Sequence, residues 1–181
     1  MIVIPPQQFT KMPWKNGGGV THEIIKREEN GKLIWRFSVA DITSDGPFSK
    51  FEGLSRILTV IEGGGLMLAT GQSWIEALPF EPVAFSGDAP ITSTRLNGNV
   101  QDFNVIFDPA AVSASVSMER GILELEADPE YLIQAVLLTG DAMVQHKLAK
   151  AGSFLLLTSD SARVESTAPM LRVALRTIKA T

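Results

Sequence analysis

The sequence predicts an all-β fold, and three observations carry that prediction. Turn signals recur roughly every 8–12 residues, the spacing of a sandwich or barrel. No long stretch carries the apolar period of an amphipathic helix. There is also a faint internal repeat. Ile57-Leu58-Thr59-Val60-Ile61-Glu62-Gly63 is similar to Ile133-Gln134-Ala135-Val136-Leu137-Leu138-Thr139-Gly140. Each copy is followed by a short strand, a Gly turn and further strands, which fits two related barrels.

Taken in order, the chain opens on Met1-Ile2-Val3-Ile4-Pro5-Pro6, which has no basic region, long apolar core or cleavage site and does not read as a signal peptide. The least ordinary stretch follows: Pro13-Trp14-Lys15-Asn16-Gly17-Gly18-Gly19-Val20-Thr21-His22-Glu23-Ile24. Three consecutive glycines lose much entropy on folding, so bare backbone must be needed there. One reading is a loop that lays amide N–H groups and the Trp14, Lys15 and Asn16 side chains against a polar ligand. The other is a turn into a first hairpin, with Trp14 plugging the end of a core.

Asn30-Gly31 centres a hairpin whose strands are residues 19–26 and 33–42. In the second strand Trp35, Phe37 and Val39 point one way, and Ile34, Arg36, Ser38, Ala40 and Ile42 the other. An arginine and a serine among small and aliphatic residues resemble the lining of a small-molecule pocket. Residues 43–53 read as a loop pinned by Phe48 and Phe51. Strands follow at 56–62, 66–69, 73–78, 91–96 and 100–107, with Phe80 and Phe85 in a loop marked by Pro79, Pro82 and Gly87. Asp108-Pro109 marks the boundary between a first barrel, residues 1–108, and a second, residues 109–181, with the N-terminal strands helping to close one of them. Further strands are expected at 113–126, 131–139, 142–147, 154–158 and 170–178.

Composition narrows the function. The net charge of −4 and the absence of clustered Lys and Arg argue against nucleic acid as a partner. No apolar run approaches the ~18 residues of a membrane span. With no cysteine there is no disulfide framework, thiolate metal site or thiol nucleophile, and a cytoplasmic location is expected.

The Pro13–Ile24 motif does not stand alone. Trp35-Arg36-Phe37-Ser38-Val39-Ala40, Gly46-Pro47-Phe48-Ser49 with Phe51, Gly53 and Arg56, Phe85-Ser86-Gly87-Asp88 and Asp102-Phe103-Asn104-Val105 follow it in order. Together they resemble the HutD/Ves family over about the first two thirds of the chain. The resemblance implies two cupin-like, RmlC-like jelly-roll barrels in one chain. It implies no particular reaction; some members are linked with histidine utilisation and others are described as stress-induced.

The chemistry can then be bounded. A cupin metal site wants a His-x-His pair, but the two histidines here are His22 and His146, and His22 and Glu23 take opposite faces of a strand. No nucleophile elbow, Ser-His-Asp set, phosphate loop or dinucleotide fingerprint occurs. No catalytic residue, metal ligand or cofactor is assigned. A binding constellation remains. Arg36, mid-strand, is either a clamp on a ligand carboxylate or one half of an ion pair with Glu23 or Asp102. Ser38 and Asn104 would add hydrogen bonds, Trp14 or Trp35 a flat wall, and Gly17, Gly18 and Gly19 backbone amides. Arg56, opening a strand, is expected in a salt bridge at a barrel end, and Asp88 contacts ligand or caps a turn. The expectation is non-catalytic, metal-free binding of a small acidic metabolite in a sensing role. Two alternatives stay open: a metal-independent isomerase or hydrolase with Glu23 or Asp102 as base, and a protein-interaction module. The part after residue 108 shows no polar group on an apolar strand and reads as scaffold or homodimer surface.

Overall fold

The structure is a computed structural model, described here for residues 1–158 and 161–178. It is all-β, with one short 3₁₀ turn at Pro6–Gln8. The strands are β1 (Ile2–Ile4), β2 (Thr10–Pro13), β3 (Gly19–Glu29), β4 (Lys32–Ile42), β5 (Gly46–Pro47), β6 (Ser55–Glu62), β7 (Leu66–Thr70), β8 (Ser73–Ala77) and β9 (Val83–Ser86). They continue with β10 (Thr92–Arg95), β11 (Val100–Phe107), β12 (Val112–Leu125), β13 (Ile133–Leu138), β14 (Ala142–Val144), β15 (Lys147–Ala149), β16 (Phe154–Leu156) and β17 (Ala162–Thr177).

The chain forms two compact units: Thr10–Ala110, and Met1–Phe9 together with Ala111–Thr181. The first holds two antiparallel sheets. One runs β2-β3-β4-β11-β6-β9 and the other β5-β10-β7-β8. Ile42, Leu58, Val60 and Val100 of the larger sheet share one buried cluster with Leu66, Leu68 and Ala77 of the smaller. The β3–β4 hairpin closes at Asn30 and Gly31, both at positive φ (50° and 77°), a conformation that this pair adopts at little cost.

The second unit is a single sheet in the order β1-β16-β13-β17-β14-β15, with β12 also paired along β17. Its cluster, including Leu123, Leu125, Val136, Leu155 and Val164, is wholly apolar. Both copies of the internal repeat pair their first strand antiparallel to their last: β6 with β11, and β13 with β17.

Three local expectations need correction. The strand expected at 142–147 is a tight hairpin, β14–β15, with Gln145 and His146 at positive φ (47° and 67°). Neither residue is a usual turn former, so composition gave no signal. Phe85 is not in a loop; β9 pairs with β6 despite its flanking prolines, which lie outside the strand. Gln134 is a polar group on an otherwise apolar strand of the second unit. It is buried and bonded to the Glu126 carbonyl and to Arg172.

Candidate ligand-binding site

Pairing register builds the site. On one face of the larger sheet, Arg36 of β4, Ile106 of β11 and Arg56 of β6 form a row, because Ile106 is the partner of both arginines. The next row is Ser38, Asn104 and Leu58, and the next Ala40, Asp102 and Val60. Strands lie about 4.8 Å apart, so the two arginines start about 10 Å from each other and reach over small neighbours. They line a cavity of about 560 Å³, with Ser38, Ala40, Asp102, Asn104 and Ile106 on the same wall. Trp14, Lys15 and Asn16 come from the β2–β3 loop, and Phe48 and Phe51 from the loop after β5.

Arg56 is the residue that sequence reasoning misplaced. It sits inside the cavity, 7% exposed, and no carboxylate lies within ion-pair distance of it among the described residues. Its Nη2 donates to Asn104 Oδ1 (2.7 Å), and the rings of Phe48, Phe51 and Phe85 surround the guanidinium at 5.1–5.4 Å. Burial lowers its pKa to about 10, so it stays charged at neutral pH. The missed signal was the pairing of β9 with β6, which sets Phe85 directly opposite Arg56.

Arg36 does pair with Glu23, at 2.8 Å between Nε and Oε2. The pair is close in distance but poorly aligned. Arg36 Nε and Nη2, like Arg56 Nε, are buried without a hydrogen-bond partner among the described residues. Glu23 does not line the cavity. Asp102 is 1% exposed and accepts at Oδ1 from Asn104 Nδ2 (2.7 Å). Burial pushes its carboxyl up to about 7, against the opposing pull of Arg56 and of the Asn104 bond.

The glycines require a correction. Gly17, Gly18 and Gly19 do not line the cavity, and their backbone is committed elsewhere. Gly17 N donates to the Trp14 carbonyl, Gly18 N to Asn16 Oδ1, and the Gly19 carbonyl accepts from Trp14 N. A Cβ on Gly19 would stand 2.5 Å from the Asp41 carbonyl and 3.0 Å from the Trp14 ring. Close approach demands glycine at position 19, and the positive φ of Gly17 (72°) favours glycine there. Trp14 Nε1 is likewise used, by Thr21 Oγ1 (2.8 Å). Asp88 caps a turn, accepting from Gly53 N and Ser86 Oγ. His22 bonds Asp41 (2.8 Å) on the face opposite the cavity, and no cluster of three His, Cys, Asp or Glu side chains forms among the described residues.

The HutD family model matches residues 6–180. The chain belongs to the HutD family. It is 41% identical over 122 residues to an uncharacterized 21.2 kDa protein in the hutC 3′ region of Pseudomonas putida. It is 35% identical over 102 residues to protein Ves of Escherichia fergusonii. Those matches take in 66% and 53% of this chain, which spans 64% and 53% of the length of the two relatives. HutD from Pseudomonas fluorescens SBW25, solved in a formate condition, superposes with a TM-score of 0.86 at 28% identity, over 98% of this chain and 99% of that one. A bacterial pirin from Escherichia coli, solved with nickel(II), shares the fold at a TM-score of 0.71 and 8% identity, over 98% of this chain and 99% of that one. No helix among the described residues is long and apolar enough to cross a membrane.

Proposed function

We propose that this HutD-family chain binds a small carboxylate in the Arg36–Arg56 cavity, without a metal, in a sensing or regulatory role tied to histidine degradation. One observation carries the reading: buried guanidinium N–H groups that make no hydrogen bond among the described residues, on two side chains that line a cavity walled by Trp14, Phe48 and Phe51, with Arg36 ion-paired to Glu23 through Nε. A buried donor left unpaired costs about 1–3 kcal/mol, more when charged, and a carboxylate would supply the missing acceptors. The aromatic rings suit an apolar or planar body. The formate condition of the Pseudomonas fluorescens structure and the hut-region location of the Pseudomonas putida relative point the same way. We read the two units as two cupin-like barrels, with the Arg36–Arg56 cavity in the first.

A thermal-unfolding screen of metal-stripped protein tests this. The panel holds urocanate, formylglutamate, glutamate, formate, sugars and divalent metals. A ligand at ~100 times its dissociation constant adds ~2.7 kcal/mol, which raises the midpoint by roughly 5–10 °C for a chain this long. The expected result is a shift with one of the acids that disappears in Arg36→Ala. A shift with a metal alone would overturn the reading. A second reading has one observation behind it: a carboxyl pushed to about 7 in a cavity suits a general base, so any acid that binds should also be followed for turnover.

A further inference from the structure

We propose that Asp102 is the specificity-determining residue of the cavity, and that it receives a carboxylate ligand as a neutral carboxylic acid, so that in mildly alkaline solution each ligand bound brings one proton with it. This rests on the carboxylate reading above and goes beyond it by fixing the protonation state of the bound site.

The geometry begins with a spacer. Asn104 stands between Arg56 and Asp102: its Oδ1 accepts from Arg56 Nη2, and its Nδ2 donates to Asp102 Oδ1, both at 2.7 Å. The amide therefore keeps the guanidinium from pairing directly with the carboxyl. Asp102 Oδ2 has no partner among the described residues, and Asp102 lines the cavity. An ionised carboxyl is an acceptor only, and would repel a second carboxylate at close range. The neutral acid offers one O–H. In that state the Arg36 and Arg56 N–H groups and the Asp102 O–H form one set of donors for a single anion.

The surrounding charges fit this assignment. From β4, Arg36 faces the cavity and is held by Glu23 of β3, so part of its charge is already answered. Asp41, also on β4, lies on the opposite face, bonded to His22 and Gln101. From β6 the facing charge is Arg56; from the β2–β3 loop it is Lys15; β2 itself contributes Met12 and Pro13, which carry none. Burial raises the Asp102 carboxyl to about 7, so the proton is available near neutrality. The balance is simple: a proton leaves solvent or buffer, joins Asp102 Oδ2, and is shared with the ligand carboxylate; no bond of the ligand breaks.

The test is isothermal titration of formate and of benzoate, acids that stay ionised between pH 5.5 and 8.5, in buffers of different ionisation heat. The wild-type chain should take up close to one proton per ligand at pH 8, and affinity should fall about tenfold per pH unit above 7. Asp102→Asn keeps the acceptor for Asn104 and presents an N–H in place of the O–H. It should bind with no proton uptake and no pH dependence. His22→Gln should leave the linkage intact, although histidine is the side chain that ordinarily titrates in this range. Binding at pH 8 without proton uptake, or linkage that survives in Asp102→Asn, would overturn the inference alone. Loss of all binding in a folded Asp102→Asn would also overturn it, because the site would then need the charge. No heat with either acid at any pH would remove the carboxylate reading and this inference with it.

Discussion

The two faces of β4, β11 and β6 differ in what they bury. One carries Trp35, Phe37, Val39, Phe103, Val105, Phe107 and Ile57, all 9% exposed or less. Trp35 stacks on Phe37 at 5.2 Å, and Phe37 meets Phe103 at 6.4 Å. The other carries Arg36, Ser38, Arg56, Asp102 and Asn104 on the same strands at alternate positions. Burial is nearly the same on both. What differs is satisfaction. Among the described residues the apolar face leaves two neutral groups without a hydrogen bond, Trp35 Nε1 and Thr59 Oγ1, whereas the cavity face leaves Arg36 Nε and Nη2 and Arg56 Nε, of which only Arg36 Nε meets a carboxylate, that of Glu23. Buried apolar surface stabilises without any further partner; buried charge needs one. One face is largely apolar, whereas the other joins core residues such as Leu58 and Val60 to buried charged groups.

The largest effect should come from the apolar face. Phe103→Ala removes a fully buried ring and should cost about 3–5 kcal/mol by denaturant unfolding. Ligand binding, measured where the variant is still folded, should be little changed. A cost below about 1 kcal/mol would mean that this face is not the core it resembles.

The cavity face should answer with the opposite signature. Arg56→Met keeps an apolar stem among Phe48, Phe51 and Phe85 and removes a buried charge that has no counter-ion. Stability should hold or rise, since replacing buried charge by apolar volume is often neutral or stabilising by about 1–4 kcal/mol. Carboxylate affinity should fall by roughly a hundredfold, in keeping with loss of a buried charged contact. A strongly destabilised Arg56→Met would erase the contrast between the faces and make Arg56 structural.

Much of this contrast was legible in the sequence. Period-2 alternation separated Trp35, Phe37 and Val39 from Arg36, Ser38 and Ala40, and the structure keeps that separation. The same rule puts Asp102 and Asn104, two apart on β11, on a common face. Arg56 was not, because its setting depends on β9 and on the Phe48–Phe51 loop, which reach it from elsewhere in the chain. Local pattern tells which way a side chain points; it does not tell what arrives opposite. The glycine triplet is a related case. Sequence shows that bare backbone is needed, and only the fold shows that the Asp41 carbonyl and the Trp14 ring are what approach it. His146 and Gln145 form a turn that no residue preference announces.

Asp102 gives the contrast a pH dependence. Its folded pKa, about 7, lies above the ordinary carboxylate value near 4, so the folded chain binds the proton more tightly than the unfolded chain. The stability this adds is fully present below about pH 4 and is lost as pH rises through 7. Asp102→Asn, which mimics the neutral acid, should therefore unfold at a higher midpoint than wild type at pH 8. The gap should narrow towards pH 5. Parallel midpoints across that range would show that the carboxyl titrates like an exposed one.

The smallest effects test whether the glycine loop serves the cavity only by holding Trp14. Gly19→Ala drives a Cβ against the Asp41 backbone carbonyl and the indole, and backbone cannot step aside cheaply. It should cost about 1–3 kcal/mol and weaken ligand binding by moving Trp14. Gly18→Ala meets the Ser44 hydroxyl at 2.5 Å, a side chain that can rotate away, and its φ is not positive. It should cost less than about 1 kcal/mol and leave binding unchanged, because the Gly18 amide is already held by Asn16. If Gly18→Ala instead lost ligand affinity at full stability, the loop would be touching the ligand itself. The division between a supporting backbone and a binding face of side chains would then have to be redrawn at this loop.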